Sequence, residues 1–399
     1  MTSRSVHRAA GFVAVLLAAA ALCASAADWP IYRGPEHNGI SAETGWFAPG
    51  AKLSVAWSQK VGTGCSSMTV VGERLFTMGN IEKSKDVVYC FNAADGKLVW
   101  KFAYDCPLSP KMYEGGPNAT PTVADGKVYT LSKQGDVFCL DAATGEKVWS
   151  VRLGAKAPTW GYASSLLVLG KSVLLNAGDA GTALDKDTGK VLWSSGEGPG
   201  GYSTPVPYEQ GGQTLIALFS RRSVVGVQAA DGKKVWEHEW KTSYDVNAAD
   251  PVLIDGGKKV FISSGYNSGC MLLNVSGGSA TEAWRNKNMR NKHTNSVVQD
   301  GAIFGFDESV LTCLDLATGE KKWTQSGLGS GALVLADGKL VLLAEKGKVV
   351  VAEASPAGFK ELASVQAVKG NCWAAPTLAH GRIYARSKAG DLACVTIEK

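Results

Sequence analysis

The sequence predicts an all-β chain: an eight-bladed β-propeller of four-stranded antiparallel blades, closed by an N-terminal strand pairing with the C-terminal blade. Three observations lead there. A phrase of strand, Gly-containing turn and Trp recurs down the chain, first as Asn92-Ala-Ala-Asp-Gly96-Lys-Leu-Val-Trp100. The tryptophans at 57, 100, 149, 193, 236, 284 and 323 are 39 to 49 residues apart, the length of one blade. An unmatched strand, Leu53-Ser-Val-Ala-Trp57, precedes the first blade, and the last three strands, from about 371 to 399, lack an outer one.

The phrase returns as Asp141 to Trp149, Asp185 to Trp193, Gln228 to Trp236 and Asp315 to Trp323. A stretched copy runs from Asn274 to Trp284, and a copy without Trp from Glu353 to Leu362. Within one repeat, Ala119-Thr-Pro-Thr-Val123 is the inner strand and Asp125-Gly-Lys127 a tight turn. Val128-Tyr-Thr-Leu131 and Val137 to Asp141 follow, and Lys147-Val-Trp149 is outermost. These are short β-branched and aromatic runs punctuated by Gly and Asp turns. No stretch sustains a 3.6-residue apolar period, so helices are not expected. The blades fall at 63–104, 113–154, 159–197, 200–241, 245–286, 292–326 and 329–364, with the eighth shared between the two ends. Pairing the strand at 53–57 with the tail hides both terminal edges. The alternative is seven blades with an appendage. Residues 27–52 read as an irregular wrap over the outside of the ring, and 53–399 as a single propeller.

The first 26 residues read as a leader. Arg4 and Arg8 precede an apolar run from Ala9 to Leu22, and Ala24-Ser-Ala26 follows. The run is short for a bilayer span, and no later run is long enough. Cleavage after Ala26 and a periplasmic or secreted location are expected. Cys23 lacks the small residue before it that a lipid anchor requires. The chain carries a net charge of +5, or +3 without the leader, too balanced for a nucleic-acid or membrane-surface protein. Of the nine cysteines, Cys90, Cys139, Cys313 and Cys394 occupy one equivalent place in the repeat, as a small buried slot-filler does. Cys65 and Cys372 open inner strands of adjacent blades, and a bond between them stays open as an alternative.

These residues resemble the eight-bladed propellers built from pyrroloquinoline-quinone (PQQ)-type repeats. That family's phrase Ala-x-Asp-x-x-Thr-Gly-Lys-x-x-Trp is nearly intact at Leu140-Asp-Ala-Ala-Thr-Gly-Glu-Lys-Val-Trp149 and at Leu184-Asp-Lys-Asp-Thr-Gly-Lys-Val-Leu-Trp193. The resemblance covers about 50 to 399 and implies that each Trp packs between neighbouring blades. The opening Asp28-Trp-Pro-Ile-Tyr-Arg33 also looks like exported propellers of planctomycete-like bacteria, a group mostly without assigned activity. The resemblance further implies quinoprotein dehydrogenase chemistry, with the quinone held between a Trp and a disulfide of adjacent cysteines. There, Glu, Asn and Asp hold calcium and an Asp is the base. This chain has no Cys-Cys dipeptide and is much shorter, which counts against that chemistry. A cofactor would have to supply any redox step.

Strand order places any site at the face where the lead-ins to the inner strands converge. They bring Tyr113, Glu114, Asn118, Trp160, Tyr162, Tyr202, Tyr244, Asp245, Asn247, His293, Asn295 and Trp373. Turns between second and third strands add Arg221, Arg222, Asn267, Asp307 and Glu308. Apolar walls with a few polar groups suit a small molecule, and Tyr113, Asn118, Trp160, Tyr162, Tyr202, Arg221, Asn247, Asn267, Asn295 and Trp373 are the candidate binding residues. The alternative is that the aromatics only plug the channel. Glu114, Asp245 and Asp307 could form a calcium-type site with Asn247 or Asn295, or simply cap turns and pair with Arg. Asp245 and His293 are the candidate proton acceptors; for His293, near Arg285, Lys287, Arg290 and Lys292, a solvated loop position is the bland alternative. There is no Gly-x-Ser-x-Gly elbow, His-Glu-x-x-His motif, phosphate loop or Cys-x-x-Cys pair. Three functions follow as expectations. The first is a module binding a small molecule or protein through its funnel. The second is a PQQ- and calcium-dependent alcohol or sugar dehydrogenase. The third is an outer-membrane assembly scaffold like the propeller lipoprotein of the β-barrel machinery.

Overall fold

The computed structural model describes residues 26–111 and 113–398. Apart from Ala26, the expected leader lies outside them. Eight sheets follow one another around an axis. Blade I holds Thr69–Val71, Arg74–Ile81, Lys85–Asn92 and Leu98–Asp105, innermost to outermost. The inner strands of blades II to VII are Thr122–Ala124, Leu167–Leu169, Val206–Gln210, Val252–Ile254, Val297–Gln299 and Ala332–Ala336. Blade VIII joins Thr377–Ala379, Arg382–Arg386 and Asp391–Glu398 to Lys52–Lys60 from the other end of the chain. There Trp57 pairs with Cys394, so the ring closes at eight blades through the N-terminal strand. Among the described residues all regular structure is strand.

The tryptophans explain the repeat. The indole Nε1–H of Trp57, Trp100, Trp149, Trp193, Trp284 and Trp323 donates to the carbonyls of Ala93, Ala142, Lys186, Ala229, Leu316 and Ser355, each on the following blade, at 2.9 to 3.2 Å. The rings of Trp57, Trp100, Trp149, Trp193 and Trp284 lie on the turn glycine of that blade, whereas Trp323 packs beside Phe359. A Cβ on Gly145, whose φ is +77°, would stand 2.6 Å from Trp100. The turn itself is held by Asp141, whose Oδ1 accepts from the N–H groups of Ala143 and Thr144. Cys90, Cys139, Cys313 and Cys394 are register partners of Trp100, Trp149, Trp323 and Trp57. All four are buried free thiols beside the indoles. Cys65 and Cys372 are free as well. Blade IV departs from the rule: Trp236 donates to Tyr208 Oη at 2.6 Å, and the Tyr208 ring covers Gly257, in the turn between the first two strands of blade V.

A second set of bonds ties the inner strands. The N–H of Ala375 donates to Ser67 Oγ (2.9 Å), that of Ser67 to Thr120 Oγ1 (3.0 Å) and that of Thr120 to Ser165 Oγ (3.0 Å). Ser165 continues to Thr204 Oγ1 (3.2 Å), Thr204 to Asp250 Oδ1 (2.6 Å) and Asp250 to Asn295 Oδ1 (2.5 Å). Each donor lies one blade before its acceptor. This girdle satisfies backbone N–H groups that the axial channel would otherwise leave unpaired. It is open at blade VII, where Ala332 offers no side-chain acceptor.

The segment expected to wrap the outside of the ring lies across the inner strands instead. Trp29 exchanges backbone bonds with Val70, and Pro30 accepts from Val123. Ile31 packs with Leu167, Leu174 and Leu218. Arg33 donates to the Ser296 carbonyl at 3.0 Å. Ile40–Ser41 pairs in parallel with Leu335 and Ala336, and Trp46 donates to the Ala336 carbonyl. The physical reason is burial: Trp29, Ile31, Trp46 and Phe47 are each 6% exposed or less, and the inner wall is the apolar surface that shields them.

Candidate functional site

On the lead-in face the channel opens into a cavity of about 430 Å³, closed below by this N-terminal segment. Six blades contribute aromatic or imidazole groups to its wall: Tyr113, Trp160, Tyr202, Tyr244, Tyr266, His293 and Trp373, with Tyr32 rising from the floor. The girdle residues Ser67, Thr120, Ser165, Thr204, Asp250 and Ala375 form the neck.

The wall residues support one another. Tyr113 Oη donates to the Trp160 carbonyl at 3.0 Å and accepts from Asn118 Nδ2 at 3.2 Å. The rings of Trp160 and Tyr202 are 6.2 Å apart, and burial pushes the Tyr202 hydroxyl up to about 12. Across the cavity His293 stacks on Trp373 with centroids 4.3 Å apart. Lys388 Nζ lies 3.7 Å from the Trp373 ring centroid, a close cation–π contact. Burial, with Lys292 and Lys388 nearby, lowers the His293 pKa to about 3, so the ring is neutral. Its Nε2 is shielded from solvent and has no hydrogen-bond partner among the described residues.

Several sequence candidates fall elsewhere. Tyr162 is core: it is 1% exposed, and its hydroxyl donates to the Ala155 carbonyl. Asn247 is fully buried; its amide donates to the carbonyls of Ser220 and Arg221, and its oxygen accepts from Ser264. An extended lead-in alternates sides, so Val246 and Ala248 reach the cavity and Asn247 does not. Asn267 sits on an exposed turn with φ +61°. Arg221 and Arg222 both pair with Asp245, the latter at 2.9 Å. That carboxylate is held outside the cavity and is not placed as a base. Asn295 lies beneath the cavity, donating to Tyr32 Oη at 3.0 Å.

The three carboxylates considered for a metal do not converge. Glu114 pairs with Lys388 (3.0 Å), Asp245 with the two arginines, and Asp307 with Arg290 (2.5 Å) and Lys321 (3.4 Å). Among the described residues no three His, Cys, Asp or Glu side chains group as a metal site. The donor set therefore does not fit a calcium-bound quinone of the kind the resemblance implies. The cavity's own carboxyl is Asp250, which sequence reasoning missed. It is 3% exposed, and burial, partly offset by Arg33, pushes its pKa up to about 7. Tyr32 was missed too. Asp250 could have been found by aligning it with Ser67, Thr120, Ser165 and Thr204; Tyr32 lies outside the repeat and carried no such signal.

Fold and repeat chemistry define this chain as a propeller of PQQ-like repeats. A family profile described as outer membrane protein assembly factor BamB matches residues 84–325 and 307–399, and the chain belongs to that family. The BamB of Shewanella oneidensis is 22% identical over 72% of this chain and 70% of its own length. The quinohemoprotein alcohol dehydrogenase ADH-IIG of Pseudomonas putida is 33% identical over 39% of this chain, a match spanning 23% of that enzyme. A europium-containing methanol dehydrogenase superposes with a TM-score of 0.70 over 92% of this chain and 98% of its own, at 13% identity, a likeness of fold alone.

Proposed function

We propose that this chain is an exported binding module whose funnel takes a small molecule with a flat, unsaturated face, and that it does so without quinoprotein catalysis. The observation that carries this reading is the convergence of Tyr113, Trp160, Tyr202 and Trp373, from distant parts of the chain, on one cavity with a polar floor. Aromatic walls supply contact area at low entropic cost, and a few polar groups orient the ligand. Lys292 and His293 at the wall and Asp250 at the floor are the polar groups available here.

The test is tryptophan fluorescence titrated with planar aromatic carboxylates, PQQ among them, with and without calcium. Saturable quenching that is indifferent to a calcium chelator is expected. Trp373→Ala should weaken it about tenfold, in line with the loss of one stacked ring and its cation–π partner. Calcium-dependent binding, with dye reduction by alcohols or sugars, would instead establish the dehydrogenase reading. A second reading, a protein partner at the same face, is favoured by membership of the BamB-described family. Co-purification with outer-membrane assembly proteins that survives Trp160→Ala and Trp373→Ala would support a scaffold acting away from the funnel.

A further inference from the structure

Glu43 belongs to the N-terminal segment and is 1% exposed. Its Oε2 accepts the Gly381 N–H at 2.9 Å, and its Oε1 accepts the backbone nitrogen of Ala27 at 3.3 Å. Among the described residues no Lys, Arg or His nitrogen stands within ion-pair distance of it. The His380 backbone and charge also favour the carboxylate, but a buried carboxylate is ordinarily paired, because backbone N–H groups alone do not repay the loss of water. Burial accordingly raises its pKa. Ala27 is the residue that follows Ala24-Ser-Ala26, the small-residue pattern read above as a cleavage site.

We propose that Glu43 is the receptor for the α-ammonium of Ala27, created when the chain is cut between Ala26 and Ala27. A leader-removing endopeptidase adds water across that peptide bond; Ala26 leaves with the new carboxylate, and the nitrogen already 3.3 Å from Glu43 takes up protons to become cationic. A weak bond from a neutral amide thus becomes a buried, charge-assisted ion pair. The neighbouring residues transmit the anchor. Asp28 accepts from the Gly72 N–H (2.9 Å) and contacts His380 Nε2 (2.7 Å), and Trp29 pairs with Val70. Just beyond them, Tyr32 and Arg33 make the underside of the funnel. Processing therefore fastens the segment that closes the channel. The inference is independent of what the funnel binds.

The full chain, exported from a Gram-negative host, should begin at Ala27 when its N-terminus is sequenced; any other first residue overturns the proposal. Chains starting at Ala27, or carrying a Gly-Ser extension before it, are then compared with Glu43 and with Glu43→Gln. The extension should lower Tm by about 5 °C with Glu43 and by less than about 1 °C with Glu43→Gln. The Ala27 α-amine should react with an amine-selective aldehyde at least about tenfold more slowly than the extended chain's amine. Equal melting and equal labelling of the two chains would overturn the pairing. If Glu43→Gln does not fold, the two chains with Glu43 intact still decide.

Discussion

Asp250 and His293 face one cavity from opposite sides of neutrality, and their protonation states set opposite pH slopes. The Asp250 carboxyl keeps its proton in the folded chain up to about pH 7, whereas an unfolded aspartate loses it near 3.9. Between those values the folded state binds more protons, so this group's contribution to stability falls as pH rises and levels off above about 7. Asp250→Asn should remove that decline: plotted against pH, the Tm of the variant minus that of the parent climbs from pH 4 to 7, whatever its constant offset. His293 acts in reverse. Its folded pKa lies near 3 and that of His37 near 4, so below 6.5 the unfolded chain takes protons the folded one refuses. Stability then falls with pH, and His293→Gln should flatten the acid limb between about 6.5 and 3. Differential scanning fluorimetry across a buffer series reads both slopes. Neither group's state was legible in the sequence. His293 sits in a basic run that suggests a solvated loop, and only the stack on Trp373, 80 residues away in the chain, shows otherwise.

The unit of stability at the next scale is the outer strand with its Trp. Removing the ring of Trp149, 9% exposed and bonded to Lys186, leaves a cavity between blades II and III. Trp149→Ala should cost about 3–5 kcal/mol, while Trp149→Phe, which keeps most of the contact and loses the Nε1–H bond, should cost about 1. Gly145→Ala sets a Cβ against the Trp100 ring and strains a left-handed φ, so it too should destabilise, by about 1–3 kcal/mol. Chemical denaturation of the three variants tests the ranking. These positions were legible because most copies of the repeat supply their own Trp and turn glycine, and several a small partner, so the copies can be overlaid. The lead-ins were legible only in part. Trp160, Tyr202 and Trp373 reach the cavity, but Tyr162 and Asn247, adjacent to cavity residues, face away because extended backbone alternates. The N-terminal segment has no second copy to be compared with. Its apolar residues declare that they are buried, not where, which is why a wrap outside the ring was expected and a closure of the channel was found.

A ring of blades has one covalent interruption, and here it falls inside blade VIII. Lys52–Lys60 and Asp391–Glu398 are the two ends of the propeller, held in register by hydrogen bonds and by the Trp57 contact with blade I. Every other blade is continuous chain, so opening this seam is the step that frees an edge and lets neighbouring blades unpack. Ser54 and Thr396, 342 positions apart in the chain, face each other across it with their hydroxyls 3.1 Å apart. Thr182 and Ser194 in blade III, 12 positions apart, make the same kind of pair at 3.2 Å. Replacing either pair with cysteines creates a disulfide in a like setting, and chain entropy separates the two outcomes. The loop-closure relation gives roughly 3 kcal/mol for the short loop and roughly 6 for the long one. If the seam governs unfolding, the oxidised Ser54→Cys/Thr396→Cys chain should also unfold far more slowly than the blade III control, and reduction should cancel both gains. Equal unfolding rates for the two oxidised chains would place the first opening in another blade, and the seam would then be an ordinary part of the ring.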